Sequence, residues 1–332
     1  MSSSIMLIAV IAIALTFDFI NGFHDTANAI ATSVSTRVLS PRQAIIMAAV
    51  LNFAGALISE SVAKTISSGL VNGSLEQYVI VAALLAAVIW DLITWYIGIP
   101  SSSSHALIGG LVGASLVYAW SVDKIIWTGV LEKVVIPLVS SPLIGFVFGY
   151  LIMSSLFELL RPFSQKMVNK WFSKLQIVSA ALMAFSHGCN DAQKSMGIIT
   201  LALVSAGTIS SNAGIPLLVK LACAVAMALG TSIGGWKIIK TIGVNMIKLQ
   251  PIGGFAAETS AAVVIHAMTA FGAPVSTTHV ITASIMGVGA SKRFSAVRWA
   301  LAKSIVKAWV LTIPVTMLLG ALITLLFKLS IG

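Results

Sequence analysis

Long apolar runs alternate along this chain with short polar interruptions. About 20 apolar residues cross the roughly 30 Å of bilayer hydrocarbon. The runs near 5–32, 42–62, 124–158, 172–204, 215–234 and 296–328 approach or exceed that length. Two further segments, 77–119 and 252–290, are oily at both ends but interrupted halfway, by GIPSSSSH at 98–105 and GAPVSTTH at 272–279. A chain without water around its backbone must satisfy its amides internally, so helices, not a barrel, are expected to span. The opening MSSSIMLIAVIAIALTF has no basic start and no A-x-A-like cleavage site, and it reads as a retained first helix.

Composition agrees with this pattern. Of 332 residues, 58% are hydrophobic and 9% charged, with a mean hydropathy of +1.01, whereas soluble domains carry about a quarter charged residues. The net charge of +10 is not a nucleic-acid footprint, because the lysines and arginines fall in short clusters between apolar runs, as cytoplasmic anchors do. Cys189 and Cys223 both sit in apolar context and suit packing rather than a disulfide or metal site. Walker A and GxSxG patterns are missing, as is clustered Cys/His spacing, so the chain does not read as an enzyme or an ATP-driven pump.

The chain repeats internally. FINGFHDTANAI (19–30) lies over FSHGCNDAQKSM (185–196), aligning Phe19, Gly22 and Asp25 with Phe185, Gly188 and Asp191 at an offset of 166 residues. GIPSSSSHALI (98–108) lies over GAPVSTTHVIT (272–282) at an offset of 174, aligning Gly98, Pro100, Ser102 and His105 with Gly272, Pro274, Ser276 and His279. Residues 1–160 and 172–332 are therefore expected to be two repeats joined by a basic link at 161–171. With Arg37, Arg42, Arg161, Lys166, Lys170, Lys174, Lys237, Lys240, Lys248, Lys292, Arg293 and Arg298 all cytoplasmic, the count closes only if 77–119 and 252–290 are hairpins entering from opposite faces. The expected fold is thus an all-α membrane transporter built from an inverted-topology repeat with two broken, re-entrant hairpins. Both termini are then expected outside and the link inside. Reading 77–98 and 104–120 as full spans instead would place the link outside, against the charge bias.

Four stretches carry candidate chemistry. Pro100 and Pro274 break the helix, and Ser102, Ser103, Ser104 and Ser276, Thr277, Thr278 then stand where a half-helix begins. Hydroxyls and open amides there can cradle an oxyanion, or merely cap. His105 and His279 follow each run and read as packed, hydrogen-bonding residues. Asp25 and Asp191 either cap helices at the membrane surface or, lying inside long apolar patterns, sit where a carboxylate costs about 2.5–3.5 kcal/mol unless a cation or polar cavity receives it. With Asn28 beside one and Asn190 and Gln193 beside the other, they suit a hard-cation site; Gly22 and Gly188 would let each helix open to add carbonyl oxygens. Lys194 replaces the Asn28 position in the second copy, either neutralising Asp191 or offering charge to an anion. Glu258 has no counterpart in the first half, and it binds a cation or a proton or sits near a helix mouth. Glu60 and Asp91 read as interface carboxylates.

NGFHDTANAIATSV, HGCNDAQKSMG, PSSSSH and PVSTTH together resemble the signatures of the inorganic phosphate transporter (PiT) family across both halves. The resemblance implies a cation-coupled symporter of inorganic phosphate that alternates access around a midplane site. It places Asp25, Asn28, Asn190 and Asp191 at the cation and phosphate site, and Ser102–Ser104 with Ser276–Thr278 around the anion. In residue terms, Ser102, Ser103, Ser104, Ser276, Thr277, Thr278 and Asn190 are phosphate candidates, and Asp25, Asn28, Asp191, Gln193 and Glu258 cation candidates. No cofactor or resident metal is expected beyond the coupling ion. Sodium suits the oxygen-rich set, with protons, and a metal-phosphate cargo, as the alternative. A passive anion channel and a non-transporting scaffold are the rival classes. Phosphate is favoured over sulfate because it retains a proton to donate to a carboxylate. The bilayer is the expected setting, and a homodimer is implied by the resemblance alone.

Overall fold

The computed structural model describes residues 3–210 and 212–331. Its first half runs α1 (Ser3–Ser35), α2 (Pro41–Ala56), α3 (Ser61–Ser68), α4 (Gln77–Ile97), α5 (Ser103–Ala119), α6 (Trp127–Val130) and α7 (Ile136–Leu159). The second runs α8 (Gln165–Ser205), α9 (Leu217–Ile233), α10 (Trp236–Lys240), α11 (Pro251–Ala270), α12 (Thr277–Lys292) and α13 (Trp299–Ile331). Among the described residues the only β pairing is an isolated bridge, Val71 with Ile125. A π turn, Leu131–Val135, joins α6 to α7. Pro137 follows it closely, and a proline without an amide hydrogen cannot bond the carbonyl four residues back, so the ladder slips there.

Among the described residues, four helical segments are long and apolar enough to cross a membrane: Ser4–Ser35, Gln77–Ile97, Trp127–Leu159 and Trp299–Ser330. Large apolar side chains such as Val139, Leu143, Val310 and Leu318 stay more than half exposed, as side chains facing lipid do. α8 is 41 residues long, about 60 Å of helix. It begins at Gln165, capped by Ser164, so most of the expected link at 161–171 is already helical.

Two expected single helices are bent. The segment 42–62 is two helices, α2 and α3, bent by 64°, and α9 turns by 62° into the short Trp236–Asn245 segment. At the second bend Gly234 takes a φ of +75°. At the first, the opening amides of α3, Val62 and Ala63, donate to the Gln193 side-chain carbonyl at 2.8 and 3.1 Å, so a side chain from α8 starts the new helix.

Both interrupted segments are helical hairpins. Tyr78 near the start of α4 meets Tyr118 near the end of α5, ring centroids 6.0 Å apart. In the second hairpin the Ser260 and Ser284 hydroxyls lie 3.2 Å apart. Each turn follows a glycine in the left-handed region, Gly98 at φ +78° and Gly272 at φ +70°, which a side chain rarely adopts. α4 has 21 residues, so length alone would let it span; burial of 100–106 and 273–279 sets the two tips inside the protein.

Packing recurs between the halves. α1 packs on α9 and α8 on α2, while α5 packs on α13 and α12 on α7. The apolar core forms two clusters, one holding Val10, Ala14 and Phe17 of α1 with Met196 and Ile199 of α8. The other holds Ala27, Ile30 and Ala31 of α1 with Met183 and Ala184 of α8. Between them on α1 lie Asp18, Asn21, His24 and Asp25, and on α8 His187, Asn190 and Asp191, all buried. A polar layer thus divides the hydrophobic interior.

α1 and α8 remain continuous through this layer, so the expected opening at Gly22 and Gly188 does not occur. Those glycines serve close approach instead. A Cβ on Gly22 would stand 2.4 Å from the Met227 carbonyl oxygen, and one on Gly188 would stand 2.3 Å from that of Asn52.

Candidate functional site

The two hairpin tips meet in the polar layer. The Ser104 hydroxyl donates to the Val275 carbonyl at 2.8 Å, and the His105 and His279 rings lie 5.0 Å apart. His279 also stacks on Trp309 at 4.0 Å, but neither of its ring nitrogens has a hydrogen-bond partner among the described residues, so it is packed without the hydrogen bonding expected of it. Ser102 and Ser276 cap the half-helices, each accepting from the amide three residues on at 3.2 Å. Those caps leave the amides at 103–104 and 277–278 in the first turn, ahead of the intrahelical bonds and at the positive end of each helix.

The remaining tip hydroxyls point at α1. Ser103 lies within donating reach of the Asp25 carboxylate at 2.8 Å and of the Asn21 carbonyl at 2.7 Å. Thr278 donates to the other Asp25 oxygen at 3.3 Å. The Asn28 amide donates to the hydroxyls of Thr278 and Thr277 at 2.7 and 3.3 Å, and its own carbonyl oxygen has no hydrogen-bond partner among the described residues. Asp25 is thus the point at which α1 and both tips converge. His24 Nδ1 sits 2.7 Å from the same carboxylate, while its Nε2 contacts Thr94 at 3.1 Å, which reaches Ser101 at 2.8 Å.

On α8, Asp191 pairs with Lys194 at 2.9 Å and lies 3.5 Å from His187 Nε2. Donor atoms of Asp25, His187 and Asp191, one from each, lie within 4.8 Å of one another, so the two carboxylates face one shared space. Oxygen and imidazole donors around it can hold a cation, and the hydroxyls and helix ends beside it can hold an oxyanion.

Three expected site residues are placed away from this space. Asn190 donates to Thr269 at 2.8 Å and to the Ala273 carbonyl at 3.2 Å, holding the second tip. Gln193 secures the start of α3, as described above. Glu258 accepts from Thr32, from Ser179 at 2.5 Å and from Gln176 at 3.2 Å, tying α11 to α1 and α8. Asp91 is fully buried in the protein, whereas Glu60 pairs near the surface with Lys64 and Lys220. Asp18, Asn21, Asn52 and His187 belong to the buried layer and were not singled out from sequence. Asn21 and His187 occupy matching positions of the repeated motif, and that signal was readable.

Comparison with known proteins gives a consistent result. The model of the phosphate transporter family matches residues 21–320. A probable low-affinity inorganic phosphate transporter of Bacillus subtilis (strain 168) is 51% identical over 324 residues, covering 96% of each chain. A protein of the same description from Rhizobium meliloti (strain 1021) is 50% identical over 322 residues, covering 96% of this chain and 95% of its own. Among solved structures, one described as the sodium-dependent phosphate transporter superposes with a TM-score of 0.84 at 25% identity, covering 98% of this chain and 99% of that one.

Proposed function

From the premise that the chain belongs to the phosphate transporter family, a multi-pass membrane protein and not an enzyme, we propose that it imports inorganic phosphate by symport with a monovalent cation, sodium before protons. The observation that carries this reading is the convergence of Ser103, Thr278 and Asn28 on Asp25, where the two hairpin tips meet. The tips supply hydroxyls and helix N-termini for an anion, and Asp25 supplies charge for a cation. Each then makes the other's binding cheaper, which is what coupling requires. Ser103, Thr277 and Thr278 would turn from Asp25 and Asn28 to phosphate oxygens, and the Asp25 and Asn28 oxygens would take the cation. Phosphate keeps a proton to donate to a nearby carboxylate, which sulfate lacks.

Sodium is supported by the oxygen-rich donor set and by the structural neighbour described as sodium-dependent. The proton alternative has one observation in its favour, the imidazole of His24 held 2.7 Å from Asp25. In this reading the halves are inverted repeats, the hairpins enter from opposite faces of a cell membrane, and access alternates around the meeting point of the tips. Purified protein in liposomes is expected to accumulate labelled phosphate against its gradient when sodium is high outside. Accumulation under a proton gradient alone would select the second reading, and unsaturable flux indifferent to both would indicate a channel.

A further inference from the structure

Lys194 is the one lysine or arginine fully buried among the described residues, 1% exposed in the middle of the polar layer. Burying an ammonium costs several kcal/mol even after relaxation, and partnership with a carboxylate offsets this only when the geometry is good. Its partner is Asp191, at 2.9 Å. In the other motif copy the matching residue is Asn28, three residues after Asp25 as Lys194 is three after Asp191. The two side chains differ in two ways that bear on a cation. Asn28 carries no charge and keeps a carbonyl oxygen that has no hydrogen-bond partner among the described residues. Lys194 has no oxygen to lend and already puts a unit positive charge on its carboxylate.

The surroundings make that charge matter. Asp25 and Asp191 face the same space, with His187 beside them, and Asp18 and Asp91 are further buried carboxylates. A layer this rich in carboxylates draws cations, and replacing an asparagine by a lysine lowers the demand by one unit charge whatever the protonation of the others.

We infer that Lys194 is a resident cation, tethered to the chain, that serves Asp191 in the way an exchangeable ion serves Asp25. The transporter then carries one coupling cation fewer per phosphate than the same site would with asparagine at this position. The inference rests on the proposed cation-coupled reading and refines it.

Equilibrium binding of sodium-22 to purified protein in detergent, with inorganic phosphate saturating, tests it. Lys194→Asn, which recreates the Asp25/Asn28 pattern, is expected to bind one sodium more per chain than the unsubstituted protein. That difference holds whether the unsubstituted protein uses sodium or protons. The charge-neutral double variant Asp191→Asn/Lys194→Met is expected to bind the same number as the unsubstituted protein, and it remains informative if Lys194→Asn does not fold. A folded Lys194→Asn protein with an unchanged count would overturn the inference, as would one that merely loses phosphate affinity. Loss of a sodium in the double variant would overturn it too, since Asp191 would then hold an exchangeable ion of its own. Failure of the parent reading looks different: phosphate uptake by the unsubstituted protein would ignore every cation gradient.

Discussion

At Asp25, two hydroxyls from opposite hairpins and an imidazole meet one carboxylate. Hydrogen bonds to a charged group contribute about 1.5–3 kcal/mol each, and a bound phosphate oxygen deprived of its hydroxyl donor would be left buried and unpaired. Ser103→Ala and Thr278→Ala are therefore expected to weaken phosphate binding by roughly tenfold to a hundredfold each, measured by calorimetry on folded protein. Ser102→Ala and Ser276→Ala remove caps instead, and their cost, about 1 kcal/mol, falls on stability. Glu258 makes the complementary prediction. It is the common acceptor for Thr32, Gln176 and Ser179, so Glu258→Ala strands the Thr32 and Gln176 donors and leaves Ser179 only the Gln176 carbonyl. A drop in melting temperature corresponding to at least about 2 kcal/mol is expected in a thermal scan. At this scale the sequence announced Asp25, Asp191 and Glu258, because a charge inside an apolar run is conspicuous, but it did not single out Asp18, which is just as buried. It did not announce their partners: Thr32, Ser179 and Asn52 look like ordinary small polar residues until the fold brings them opposite a charge.

The hairpins are the most legible elements. Gly98, Pro100, Gly272 and Pro274 end a helix by backbone chemistry that requires no tertiary information, and the hydroxyls that follow cap the next one. The bent helices were hidden for the opposite reason. α3 begins where it does because Gln193, more than a hundred residues away, takes its first amides. Gly22 and Gly188 illustrate the same limit, since a glycine in a helix reads as a weak point but here is a contact. A Cβ on Gly188 would meet the Asn52 oxygen at 2.3 Å and its Cα at 2.6 Å, both backbone atoms that cannot rotate away. Gly188→Val is expected to part α2 from α8 and to lower both melting temperature and phosphate uptake, more so than Gly207→Val, whose Cβ would meet nothing within 4 Å although its φ of +69° still strains a side chain.

Across the whole molecule, α1 packs on α9 and α8 on α2, and the two hairpins lie against α13 and α7. The orientation of the halves in the bilayer is a separate matter and is open to direct labelling. Cys189 and Cys223 are buried, so background reaction with a membrane-impermeant maleimide is expected to be low. A cysteine at exposed Gln165 is expected to react only from the cytoplasmic side, and one at exposed Ser74 only from outside. Labelling of both from one side would exclude the inverted arrangement.

The central claim is that one site, built on Asp25 and the two tips, binds phosphate and the coupling cation together. Linkage tests it most directly: phosphate affinity of the purified protein, titrated at rising sodium at constant ionic strength and pH. The account predicts that the phosphate Kd falls as sodium rises, that the sodium Kd falls equally as phosphate rises, and that Asp25→Asn abolishes both effects. A phosphate affinity independent of sodium and of pH, or a sodium effect undiminished in Asp25→Asn, would contradict it.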